Sequence, residues 1–359
     1  MAEMKAFPLK FIAVLLSLCT LVPFGCTKKA EAQSKKNDPP EISMEGLPPV
    51  EETRDKIAQE MTAFRNQTRA LYNNRKFDEL EALAGNLHAN KARFGNGSWK
   101  IYYFYDCQEC HDKEPESMWQ LHAQIHKEWI EAKPQSITAR VAYANFLVDY
   151  AWHARGGGWA DTVTQTGWRL FEDRLADALK VLDDSASLKE KCPMWWRVRM
   201  TVALGQGWQR AEYEKLFTEA KEMEPEFFSY DVARAWHLMP RWYGEPGEWE
   251  AAAEAEAKRP GSLGLEGYAR VVIAQSDRYN NIFEETKISW PDTRKGLELL
   301  RQKYPDSLQI LSSSCKLACL SGDRDLAKQL FEEIGGRMEP NIWKNKNYFI
   351  KCRNWAHSE

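Results

Sequence analysis

Beyond residue 50, apolar side chains recur three and four residues apart along almost the whole chain, and that spacing admits few folds. Ile57, Met61, Phe64, Ala70 and Leu71 fall at this interval within residues 51–75, and Phe77, Leu80, Leu83 and Leu87 continue it. Trp119, Ile125 and Trp129 do the same in residues 116–132, where Pro134 then ends the run. A stripe at this period covers one face of an α-helix. Ser136 is placed to cap a helix running to about Ala154, and Gly156, Gly157 and Gly158 stop it, because glycine takes the left-handed conformation after a helix end. Further helical runs are predicted over 163–182, 194–204, 210–223, 229–238, 248–258, 293–303, 308–320, 325–334 and 341–352. Period-two alternation is scarce. Residues 99–105 are the one stretch that reads as a strand, and they read equally well as helix. With no sheet to cover, helices must bury their stripes against each other.

Paired helices with short turns predict an all-α fold, a helical-hairpin solenoid with degenerate repeats. Phe217, Ala220 and Pro225 sit at the spacing of the second helix of a tetratricopeptide unit, and Gly322, Asp323, Ala327 and Phe331 match that unit's turn and second helix. A small Ala lets two helices approach closely, Phe fills the gap behind it, and Gly-Asp makes the turn. Residues 75–80 form a third such turn. The Trp, Leu-Gly and Tyr usual in the first helix are missing.

The chain's start is different in kind. Lys5 and Lys10 precede an apolar run of 12 residues, Phe11 to Val22, followed by Pro23, Phe24, Gly25 and Cys26. A charged start, a short apolar stretch and a small residue before a processing point read as an export signal. The run is too short to span a bilayer, which takes roughly 20 residues. Cys26 after Gly25 reads as the acceptor cysteine of a bacterial lipoprotein, although Pro23 and Phe24 replace the usual Leu and small residue; cleavage after Ala32 is the alternative. The expected organisation is a signal over 1–26, a mobile polar tether over 27–50 and a helical repeat domain over 51–359, exported to the cell envelope and held to the membrane through its lipid.

Four segments carry a resemblance. Residues 151–163 (AWHARGGGWADTV), 202–208 (VALGQGW), 240–247 (PRWYGEPG) and 352–356 (CRNWA) are very similar to the hallmark motifs of an uncharacterised bacterial family, known as a domain of unknown function with tetratricopeptide-like helical character. The resemblance spans roughly Gly46 to His357. It implies the fold and carries over no catalytic residue.

One cluster has metal chemistry in its spacing. Cys107, Cys110 and His111 form a Cys-x-x-Cys-His motif, with His122 and His126 further on. Three readings stand side by side. In the first, Cys107 and Cys110 attach a c-type haem and His111 binds its iron, with His122, His126 or Met118 as second axial ligand. In the second, Cys107, Cys110, His122 and His126 close a zinc tetrahedron, the two histidines one helical turn apart. In the third, the cysteines form a short disulfide or stay as thiols and the histidines lie on a wet face. Cys192, Cys315, Cys319 and Cys352 have no metal-like grouping.

Composition adds one outlier, 15 Trp in 359 residues. Most are expected to plug gaps between helices. Some are candidates for a ligand groove: Trp152, Arg155, Trp159 and Asp161 around the triple glycine, and Arg241, Trp242 and Tyr243 between Pro240 and Pro246. The bland reading is a helix stop and a rigid turn, with Arg155 paired to an acid. A formal net charge of −3 with mixed signs offers no basic face for nucleic acid. No carboxylate pair is singled out for hydrolysis of envelope glycans or peptides. The expected function is an interaction scaffold for a protein or peptide partner. The alternative is a haem or zinc protein centred on Cys107, Cys110 and His111.

Overall fold

The computed structural model describes residues 47–158, 160–188 and 191–358. The expected signal, Cys26, the greater part of the tether and Trp159 lie outside the described residues. In chain order the elements begin with β1 (Glu51–Glu52), α1 (Lys56–Asn73), α2 (Phe77–Ala89), α3 (Lys100–Asp106), α4 (Glu116–Ala132) and α5 (Ile137–Arg155). A short 3₁₀ turn at Ala160–Thr162 leads to α6 (Gln165–Asp184), α7 (Pro193–Gln206), α8 (Arg210–Met223), α9 (Ser229–His237) and α10 (Glu248–Lys258). Then come α11 (Gly264–Ser276), α12 (Ile282–Glu285), α13 (Trp290–Lys303), α14 (Leu308–Ser321), α15 (Arg324–Ile334), β2 (Arg337–Met338), α16 (Pro340–Trp343) and α17 (Lys346–His357). The described chain is thus almost entirely α-helical, and it divides into two compact units.

The larger unit covers Lys56–Asp306. Sequence neighbours are also neighbours in space: α4 packs on α5, α5 most extensively on α6, and the contacts continue through α7, α8, α9, α10 and α11. Stacked helix-on-helix packing of this kind is that of a helical-repeat architecture. The helix ends follow from local chemistry. Ser136 Oγ accepts from the Ala139 amide at 2.9 Å, and Gly156 ends α5 at φ 74°. Trp119, Trp129, Trp236 and Trp249 are fully buried, so much of the tryptophan does plug the core.

Of the two readings of residues 99–105 the helix holds: α3 occupies all but Trp99, which forms a single bridge with Arg93. Helix α11 has no counterpart in the apolar periodicity. It buries Glu266, Arg270 and Gln275 together with Tyr268, Val271 and Val272, so no one face reads as apolar. Its charges are satisfied inside: Arg270 pairs with Glu266 at 3.2 Å and donates to Asn96 O at 3.2 Å, and Lys303 reaches Glu266 at 2.9 Å. Gly296 of α13 lets that helix approach α11, since a Cβ there would stand 2.1 Å from Leu265 O.

The smaller unit joins the described residues up to Asp55 to those from Ser307 onward. Its α14–α15 hairpin has the turn that the motif required. Gly322 takes φ 78°, Asp323 accepts from the Leu326 amide at 3.2 Å, and Ala327 and Phe331 are buried. Strands β1 and β2 pair in parallel, Glu51 opposite Arg337. Residues 47–50, expected to belong to a mobile tether, are held in this unit: Arg353 Nη1 donates to Pro48 O at 2.8 Å and Val50 is buried. The predicted helix over 341–352 is broken in two, with Lys344 at φ 56° and Asn345 capping α17. Among the described residues no helix is long and apolar enough to cross a membrane.

Candidate functional site

The two segments singled out as a groove meet in the larger unit. The end of α5 supplies Trp152 and Arg155, and the turn after α9 supplies Arg241, Trp242 and Tyr243. The turn is fixed by its backbone. The Trp242 amide donates to Met239 O at 2.8 Å and the Tyr243 amide to His237 O at 3.2 Å. Gly244 is obligatory there, because a Cβ would fall 1.8 Å from Leu238 O. The Tyr243 hydroxyl then anchors the turn on Leu204 O at 2.9 Å.

This places the Trp152 and Trp242 rings edge to face, centroids 5.8 Å apart, and Trp242 next to Trp236 at 5.9 Å. Guanidinium groups flank the row of indoles. Arg155 lies 5.7 Å from the Trp152 ring and 5.1 Å from that of Trp168. Arg241 and Arg278 lie 5.5 Å and 4.1 Å from the Trp236 ring. Cations over indole faces are attracted by the ring quadrupole. Burial, and next the neighbouring Arg241, pull the Arg278 guanidinium down to about 10. Tyr243 stands exposed at the edge, as few large apolar side chains do here.

Arg155 departs from the bland expectation. It is 4% exposed, and its Nη1 donates to Gly156 O at 3.0 Å and Gly158 O at 3.3 Å, carbonyls of the glycine turn that follows its helix. Among the described residues its Nε and Nη2 have no acceptor, and no acid acts on it: burial lowers its pKa. Asp161, grouped with it in the sequence, is exposed on the 3₁₀ turn. Elsewhere in the unit buried cations are paired. Lys221 Nζ reaches Asp231 at 3.0 Å, Glu256 at 3.2 Å and Pro225 O at 2.6 Å, with burial holding Asp231 up at about 6.

The Cys/His cluster is turned inward. Cys107 and Cys110 are buried free thiols, which burial raises to about 12 and about 11. Among the described residues no three His, Cys, Asp or Glu side chains are grouped as a metal needs, so the four residues read as a zinc set are not brought together. The wet histidine face is corrected. His122 is 7% exposed, with Nδ1 3.3 Å from Gln108 O. His126 is fully enclosed against Tyr72, Phe146 and Tyr143, with centroids 5.0, 5.1 and 5.9 Å away, and burial holds it neutral, far below the usual range. His111, expected to bind iron in the haem reading, lies 3.5 Å from Arg69 Nη1, and Arg69 Nε donates to Cys107 O at 2.8 Å.

The sequence did not single out a nearby acid pair. Glu109 and Asp149 share a hydrogen bond, with Asn145 donating to Glu109 at 3.2 Å. Burial holds both well above the usual range, with Asp149 and Asp106 adding to it at Glu109, while the bond from Glu109 offsets part of it at Asp149, so the pair keeps a proton near neutral pH. Sequence reasoning also missed Trp236, Trp168 and Arg278, which join the indole row from other helices; no local motif marks them.

Comparison with known proteins bears on one part of this. Residues 64–186 match a domain of unknown function, DUF4034, so this stretch, which runs from α1 through α6 and includes the triple glycine, carries that domain. No curated protein and no solved structure matches the chain.

Proposed function

We propose that the protein is an interaction scaffold on which a partner protein or peptide docks across Trp152, Trp242 and Tyr243. The observation that carries this is the convergence of two separate segments into one row of indoles, edged by an exposed tyrosine and a buried arginine with unsatisfied donors. Aromatic and arginine side chains supply most of the binding energy at protein interfaces, and stacked helices commonly work by recognition. Export and a lipid at Cys26 belong to this proposal and rest on the N-terminal sequence; Cys26→Ser is expected to release the protein from membranes.

Photo-crosslinking tests the surface. A p-benzoylphenylalanine residue is placed in turn at the three exposed large apolar positions, Tyr243, Leu121 and Leu299. Discrete adducts in cells are expected from position 243 alone, and their loss in the Trp152→Ala background. Equal adducts from all three positions would reject the surface.

A further inference from the structure

The donors left open on Arg155 specify the chemistry of the partner. A guanidinium carries five N–H groups, and those on Nε and Nη2 lie along one edge. That edge is the one a carboxylate meets with two parallel hydrogen bonds. On Arg155 these two nitrogens have no acceptor, while Nη1 is occupied by the carbonyls of Gly156 and Gly158. Leaving buried donors unmade is costly, most of all on a charged group, and Arg155 leaves two nitrogens open where Arg197 and Arg278 each leave only Nε. The other buried cations of the unit, Lys221 and Arg270, each have a carboxylate. The row of indoles continues to two more guanidinium groups, Arg241 and Arg278, which face the same Trp236 ring. Arg241 acts on Arg278 as a like charge, and a negative group arriving there relieves both. Asp277 offsets part of this repulsion at Arg278, but burial and Arg241 outweigh it.

We infer that the surface takes an acidic segment of a partner protein, with one carboxylate on the Nε–Nη2 edge of Arg155, further carboxylates at Arg241 and Arg278, and apolar side chains against Trp152 and Trp242. This rests on the docking surface proposed above. Because Nε and Nη2 are closed to water in the free protein, the carboxylate enters by displacing a half-buried indole, and tryptophan fluorescence reports its arrival.

The test uses the full chain and three fluorescein-labelled peptides of equal length, alternating Glu with Phe, Gln with Phe, and Lys with Phe. Anisotropy and intrinsic fluorescence are read together. The Glu peptide is expected to bind, to weaken with added salt, and to exceed the Gln peptide by about ten-fold or more. Arg155→Lys keeps the charge but loses the fork, and is expected to remove about ten-fold of the affinity. The pair Arg241→Gln with Arg278→Gln serves the same purpose at half-buried positions, should the first variant not fold. Equal binding of the Glu and Gln peptides, still lost in Trp242→Ala, overturns the acidic partner and leaves the docking surface standing. Binding that Trp242→Ala leaves unchanged, or no binding by any of the three peptides, overturns both.

Discussion

The region around Cys107, His122 and His126 and the surface around Arg155 and Trp242 both leave buried polar atoms unpaired, His126 Nδ1 and Nε2 in the first and Arg155 Nε and Nη2 in the second, but they treat charge in opposite ways. In the first, the residue types with the loudest chemical spacing are buried against Tyr72 and Phe146 and held neutral by that burial. In the second, residue types that a sequence reader takes for a helix stop and a turn leave donors unmade beside a row of rings. Spacing along a helix shows which side chains share a face, but not whether that face meets solvent or another helix. A buried histidine costs little when it stays uncharged. A buried guanidinium cannot lose its charge, so an unpaired one calls for a partner.

The comparison predicts that the first region governs stability and the second governs binding. The largest effect is expected from Trp119→Ala. Trp119 is fully buried and stacked on Tyr150 and His153, centroids 5.1 and 4.4 Å away. Its truncation should cost about 3–5 kcal/mol in chemical denaturation. A loss no greater than that of Trp242→Ala would break the comparison.

Next in size is the pH response of the acid pair. Glu109 and Asp149 have raised pKa values in the fold, so their contribution is fully present below the ordinary carboxyl range, about 4, and is lost as pH rises through the raised values. Glu109→Gln should therefore be more stable than the parent at pH 8, by about 1 kcal/mol or more, with the gap closing toward pH 4. Denaturation midpoints across that range measure it; a Gln variant weaker at pH 8 would sink the assignment.

His126 has the opposite sign. Its depressed pKa gives stability that is present above about 6.5 and lost as pH falls. His126→Phe should flatten the acid limb of the stability curve and leave neutral stability little changed. Native and denaturing intact masses sharpen the same region: neither should carry the increment of a zinc ion or of a haem. A bound zinc in the native spectrum alone, or a haem surviving denaturation, would overturn the inward-turned reading of Cys107 and Cys110. The smallest effect on stability is expected from Trp242→Ala, less than about 1 kcal/mol at a half-buried position, although it should abolish docking.

Much of the fold was legible because amphipathic helices announce themselves. The bounds of α4, α8 and α10 coincide with their apolar runs, and Ser136, Gly156 and Gly322 mark their turns as expected. Helix α11 was not legible, since it buries charged Glu266 and Arg270 and so shows no stripe. The candidate site was half legible. Trp152, Arg155, Arg241, Trp242 and Tyr243 stood out as unusual residues beside glycines and prolines. Their meeting depends on how α5 and the turn after α9 pack, and so does the lack of a counter-charge at Arg155, which the chain order does not encode locally. Trp236 and Arg278 join only through that packing.

The most direct test of the docking surface is fluorine NMR on 5-fluorotryptophan-labelled protein, assigned by single Trp→Phe replacements and titrated with the Glu–Phe peptide. Trp152 and Trp242 should shift together and saturate together, while Trp119 and Trp129 in the core stay still. Shifts confined to the core tryptophans, or none at saturating peptide, would contradict the account.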